Sequence, residues 1–270
     1  MRIYSTYSVK IKDYNHIFKD TVVVYRDAVD FLIGVCLNEW NTIVGLDKHG
    51  QLAKVESLTH ITNDNPTAKY INFDKKFYKF PSYLRRAAIM EAIGKVSSYK
   101  SNLANWEKAD AKSRGKKPSF PKAGYIYPCM YKTVMYEQTD TYTAKVKVYI
   151  RNTWDWLILK LRKSDIDYIS KRCASRKKCA PILMKRGHEW FLDFPFEEKV
   201  KLHDTDILNQ TIVAVDLGIN SAATVSVMQS DGAVLGRYFC KLPKEYDSLK
   251  TAINRIKKAQ QHHNYKTPRL

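Results

Sequence analysis

Two different apolar periods divide this chain, and the switch between them limits what it can fold into. From about Tyr14 to Trp40, Phe18, Val22, Tyr25, Val29, Leu32, Ile33, Cys36, Leu37 and Trp40 recur at three- and four-residue intervals, the pattern of one buried helical face. The β-branched run Val22-Val23-Val24 weakens that helix locally, since branched side chains lose rotamer freedom against the preceding turn. After Pro81, "PSYLRRAAIMEAIGKVSSYKSNLANWEKA" repeats the pattern with Leu84, Ala88, Met90, Ile93, Val96, Tyr99, Leu103 and Trp106. Between them, residues 41–80 are turn-rich, with Asp47-Lys48-His49-Gly50 and Asn63-Asp64-Asn65-Pro66 as punctuation.

Past Tyr125 the period falls to two. Val146, Val148 and Ile150 share a face of "YTAKVKVYI", "TWDWLILKL" follows, and "PILMKRGHEWFLDFPF" reads as a hairpin turning near Arg186-Gly187. Residues 1–11 alternate as well, through Ile3, Tyr7, Val9 and Ile11. Strand, long helical stretch, then several strands predict an α+β fold: a β-barrel built from residues 1–13 and 125–200, interrupted by a helical insertion over 14–124. The polar stretch 201–210 reads as a linker, and a new domain starts at Thr211.

Charge narrows the partners. The chain carries 46 Lys and Arg against 27 Asp and Glu, a net charge of +19, which predicts attraction to a polyanion, with nucleic acid first. Charge that serves only solubility is the plainer explanation, but a modest net charge suffices for that. No apolar run approaches the roughly 20 residues needed to cross a bilayer. The first residues lack the apolar core of a secretory signal, so a cytoplasmic location is expected. Five scattered cysteines without a CxxC pair argue against a disulfide framework and a zinc knuckle; Cys173 and Cys179 flank a basic loop with no nearby ligand pair, and His262-His263 has no supporting ligands.

Cations cluster where phosphates could be met. Arg85, Arg86, Lys95 and Lys100 fall off the apolar stripe of the second helix, and Lys116 and Lys117 lie in the exposed loop "DAKSRGKKPSFPKAGY" that follows it. Lys171, Arg172, Arg176, Lys177 and Lys178 surround Cys173, and Lys250, Arg255, Lys257 and Lys258 give a basic side to a helix whose stripe is Tyr246, Leu249, Ile253, Ile256 and Ala259. A solvated charge run is the bland alternative for each. Tyr125, Tyr127 and Tyr131 interleave with Lys122 and Lys132 in a way compatible with stacking on bases, whereas Trp154 and Trp156 are more simply core.

The stretch "TIVAVDLGINSAATVSVMQSDGAVLGRYF" (Thr211–Phe239) ends an apolar run on a carboxylate. Ile212–Val215 is the run of a central strand covered on both faces, and an acid at its end calls for a cation, a metal or a donor. Ser221–Met228 reads as a second strand, Ser230-Asp231-Gly232 as a turn and Ala233–Phe239 as a third strand. An acid on the first of three consecutive antiparallel strands is how the RNase H-like fold of two-metal nucleases opens. Capping of a turn by the Asp216 side chain accounts for the same residues equally well.

"VAVDLGINSAATVSV", the basic helix after it and the upstream order of segments resemble the transposon-encoded TnpB nucleases and the miniature type V CRISPR effectors derived from them. The likeness covers essentially the whole chain, with DLGIN as its sharpest element. It implies a wedge-type β-barrel with an inserted helical recognition domain, then the first strands and bridge helix of a RuvC-like domain over 211–270. It implies that Asp216 is the first catalytic, Mg²⁺-binding carboxylate and that the partners are a guide RNA and target DNA, with the protein holding the heteroduplex by its backbone. A complete member has two further catalytic acids and a Cys-rich zinc segment after the bridge helix, which these 270 residues do not supply. The expectation is an incomplete N-terminal portion, with no cleavage unless a second polypeptide completes the nuclease domain, or else a non-cleaving nucleic-acid-binding regulator.

Overall fold

The computed structural model describes residues 2–12, 16–63, 65–110, 114–131, 133–200, 210–218 and 221–261, which form two units, Met1–Val200 and Lys201–Leu270. The linker at 201–209, Ile219 and Asn220 of the DLGIN motif, Lys132 and the histidines at 262–263 lie outside the described residues.

In the first unit, β1 (Arg2–Lys10) leads to α1 (Ile17–Asn38), and α1 buries the face its periodicity requires. Thr21 in that face has a second role: its hydroxyl donates to the Ile17 carbonyl at 2.8 Å and accepts from Tyr149 N at 2.9 Å, tying the helix to a strand. The turn-rich stretch contains three short helices, α2 (Trp40–Ile43), α3 (Lys48–Thr59) and α4 (Asn72–Lys76). Asp47 caps α3, its carboxylate accepting from Gly50 N at 2.9 Å. A chain of rings links α4 to the sheet beyond it: Phe73 meets Phe77 at 4.9 Å between centroids, and Phe80 meets Trp154 at 5.4 Å. Helix α5 (Ser82–Lys108) packs on α1 and α3 through Leu84, Ala88, Ile89, Ala92, Ile93 and Val96. Beyond Val96 none of its residues is buried, although the apolar stripe continues to Trp106.

Strands follow. β2 (Tyr136–Gln138), β3 (Thr143–Ile150) and β4 (Thr153–Lys160) form a meander, with Ala144, Val146 and Val148 buried on one face of β3. After α6 (Lys163–Arg172) come β5 (Lys177–Lys178), β6 (Ile182–Arg186) and β7 (Glu189–Lys199). The β6–β7 hairpin turns at Gly187, whose φ of +57° suits a residue without a Cβ. β7 is the hub of its sheet and pairs antiparallel with β1 along the whole of that strand.

Two readings of the sequence need correction here. Strand pairing gives two separate antiparallel sheets rather than a closed barrel; among the described residues single bridges at Ile11–Leu161 and Cys129–Ile182 extend the pairing beyond the named strands. Closure would need continuous ladders at both seams, and α6 follows directly where β4 ends. Helix α6 itself was hidden by its short apolar stripe: Ile166 and Ile169, followed by Cys173, bury at helical spacing in a stretch that is otherwise mostly polar and of mixed charge.

In the second unit, β8 (Thr211–Asp216), β9 (Ala223–Gln229) and β10 (Val234–Cys240) make an antiparallel sheet in the order β10-β9-β8, and α7 (Pro243–Gln261) follows. The β9–β10 turn is built by Asp231, whose carboxylate accepts from Ala233 N at 2.9 Å, and by Gly232 at φ +89°. Where a covered central strand was expected, β8 is an edge among the described residues: there it pairs only with β9, and Ile212, Val213 and Val215 are exposed. Three strands and one helix offer too little surface to cover both faces of a sheet, and after Glu197 none of the described residues is buried.

Candidate nucleic-acid interface

Asp216 ends β8, directly opposite Thr224 on β9. Two residues on, the chain must reverse, and Gly218 permits it: a Cβ there would stand 3.2 Å from the Ser221 carbonyl oxygen, closer than ordinary contact. Gly218 also borders a cavity of about 590 Å³ that reaches Lys241, Glu245 and Tyr246 at the start of α7. Among the described residues no ion pair holds Asp216, and no group of three or more His, Cys, Asp or Glu gathers where a metal could sit. Two-metal hydrolysis uses more carboxylates than the one that Asp216 places at this strand end.

The cations fall into two groups. Some are committed to neighbouring acids or rings. Arg85 is buried, with Nη2 3.1 Å from Glu56 Oε1. Lys95 lies 3.6 Å from Glu91 one turn away, and Arg176 Nε lies 2.8 Å from Glu198 while its Nη1 donates to Ser5 Oγ at 3.0 Å. Lys177 reaches Glu197 at 3.8 Å, and Lys178 Nζ sits 4.2 Å from the centroid of the Phe194 ring and 3.0 Å from Gln138 Oε1. Arg176 and Lys178 are thus held across their sheet, whereas Lys177 is mostly exposed.

Other cations face solvent. Arg86 is exposed, touching Glu56 at only 3.5 Å, and Lys171 and Arg172 close the last turn of α6. Lys116 and Lys117 are exposed beyond α5, and Lys100 is half-buried near its end. On α7, Lys250, Arg255, Lys257 and Lys258 are all exposed, with no ion pair among the described residues. One contributor escaped sequence reasoning altogether. Arg26 of α1 donates from Nε to the Ile126 carbonyl at 2.9 Å and holds its guanidinium 4.9 Å from the Tyr127 ring centroid, a contact between residues a hundred positions apart.

Arg85 and Arg86 separate the two groups experimentally. Arg85→Ala removes charge-assisted hydrogen bonds to Glu56 in a mostly buried place and lowers stability by about 1.5–3 kcal/mol. Arg86→Ala leaves stability within about 0.5 kcal/mol. Urea unfolding of both variants checks this; equal loss of stability in the two would contradict the assignment.

The five cysteines are free. Burial pushes the Cys36 thiol up to about 12 and, together with the nearby Cys179, the Cys129 thiol up to about 11, so neither is a reactive thiolate near neutrality.

Compared with known proteins, the chain is 44% identical over 52 residues to the "Uncharacterized protein aq_aa04" of Aquifex aeolicus (strain VF5). That stretch is 19% of this chain and 30% of the Aquifex protein, so the match spans under a third of its relative. Among solved structures, a chain in a cryo-EM structure of a Cas12f1–sgRNA–target DNA complex aligns over 99% of this chain and 72% of its own, at 12% identity and a TM-score of 0.35. At that score the likeness decides nothing about fold or activity. The family match is broader: residues 5–150, more than half of the sequence, fit the Aq_aa04 family, and this chain is a member of it.

Proposed function

We propose that this chain is a nucleic-acid-binding protein of the RNA-guided DNA endonuclease type, contacting a guide RNA and target DNA through their phosphates. The observation that carries the reading is the net charge of +19, with the unpaired part of it displayed on α7 and around the end of α5. Asp216, at a strand end followed closely by a glycine with little room for a Cβ, supports a place in a RuvC-like nuclease centre. Mg²⁺-dependent hydrolysis would require carboxylates in addition to Asp216.

The test replaces Lys250, Arg255, Lys257 and Lys258 together with alanine. All four are exposed, so the fold is untouched. Affinity for a structured RNA and for duplex DNA falls, and the log–log salt slope on duplex flattens by about 0.9 for each phosphate contact removed. Asp216→Ala leaves that binding unchanged or slightly tighter, because it removes a negative charge. An α7 variant that binds like the parent would refute the role of this helix. Protection of DNA without nicking when acidic partners are supplied would mark a non-cleaving regulator instead.

A further inference from the structure

Residues 114–131 run back along α5 from its C-terminal to its N-terminal end, and aromatic rings mark the path. At the far end Trp106 Nε1 donates to the Gly115 carbonyl at 2.7 Å, with the Arg114 guanidinium 4.6 Å from the ring centroid and Lys117 Nζ at 5.8 Å. Next, Phe120 tilts against Tyr99, with centroids 5.5 Å apart and planes 31° from parallel. At the near end Tyr131 meets Tyr83 at 5.6 Å. The segment is pinned to α1 midway, since Ala123 N donates to Asp30 Oδ1 at 2.6 Å and Arg26 Nε donates to the Ile126 carbonyl. Pro118 and Pro121 fix φ on either side of Phe120, so that ring is presented by a stiff backbone. Between helix and segment lies an open groove of about 730 Å³, bordered by Glu91, Lys95, Tyr99, Pro118, Pro121 and Lys122, with Phe120 and Tyr125 outside its lining.

This is the part of α5 that leaves the core, and its rings stay wet. Phe120 is 69% exposed and Tyr125 is 93% exposed, the latter with the Arg26 guanidinium 5.9 Å from its centroid. Lys100, Lys116 and Lys122 beside them have no ion pair among the described residues. A ligand that fits must bring flat apolar faces and one negative charge per repeat. An acidic peptide brings the charge without the faces, and a duplex keeps its base faces stacked on each other. A single strand offers both.

We infer that the exposed face of the segment along α5, beside the groove rather than within it, binds single-stranded nucleic acid, with bases stacking on Phe120 and Tyr125 and phosphates meeting Lys116, Lys117 and Lys122. The inference rests on the nucleic-acid reading above and narrows it to an unpaired strand at a named place.

The test uses the whole chain and two probes, a fluorescein-labelled oligothymidylate and a blunt duplex of mixed sequence, each titrated at several salt concentrations. Phe120→Ala and Tyr125→Ala each lower oligothymidylate affinity by about 5- to 100-fold, the range of one base–aromatic stack. Duplex affinity stays within about twofold, and the salt slope does not change, because neither ring carries charge. Phe120→Trp restores oligothymidylate binding and Phe120→Leu does not, which separates stacking from mere bulk. Loss of both probes to the same degree, or oligothymidylate binding unaffected by either alanine, overturns the inference while leaving the broader reading intact. Polyglutamate competing as well as oligothymidylate also overturns it. A parent chain that binds neither probe overturns both.

Discussion

Truncating Phe194 to alanine lowers the unfolding free energy of residues 1–200 by about 3–5 kcal/mol, a large part of the stability of an ordinary domain. Phe194 sits in the middle of β7, opposite Tyr7 of β1, with no exposed surface. Its ring meets Tyr136 of β2 edge-on at 5.5 Å, so it joins the sheet built on β7 to the sheet built on β3. The Lys178 ammonium 4.2 Å above the ring adds a cation–π contact that alanine cannot make. Neighbours on two sheets cannot both collapse into the space left, which puts the cost at the upper end for a large-to-small change. Urea unfolding followed by intrinsic fluorescence measures it. Phe194→Leu, which keeps most of the volume, costs about half as much or less. A loss under about 1 kcal/mol for the alanine variant would mean that the two sheets do not depend on this contact.

The long elements were legible because one physical signal dominated each. The face of α1 from Phe18 to Cys36 is set by hydrophobic periodicity strong enough to override the β-branched run Val22-Val23-Val24, and the Gly187 hairpin by turn chemistry. Where two signals competed, the sequence misled. Arg85, Ile89, Ala92 and Val96 lie on one row of α5 at spacings of four, three and four, so position 85 belongs to the buried face; its charge argued for the surface, and only Glu56 from another helix resolves the conflict. The basic run at 176–178 shows the limit of local pattern in another way: the register of β5 on β7 sets Lys177 opposite Glu197, and Arg176 and Lys178 reach Ser5 and Gln138, contacts that no sequence neighbour announces.

The candidate interface was readable as chemistry but not as place. The +19 charge and the interleaved tyrosines and lysines were visible in the sequence. That α5 leaves the core after Val96, and that a proline-pinned segment lies along the rest of it, are tertiary facts. Asp216 lies between these cases. The strand, the glycine and the turn at Asp231 form as expected, while the covering layers implied by an apolar β8 are not found among the described residues.

The central claim is that this charge serves nucleic-acid phosphates. Its direct consequence is a second large effect: a protein that neutralises about six to ten phosphates loses about 10³- to 10⁵-fold in affinity between about 50 and 200 mM salt. The exposed cations of α7, the end of α6 and the segment along α5 are numerous enough to reach the lower figure. The deciding measurement is therefore the association constant for a structured RNA across that salt range. A straight log–log plot with a slope steeper than about −4, steeper than that for polyglutamate, is the expected result. A flat line, or equal slopes and affinities for RNA and polyglutamate, would contradict it.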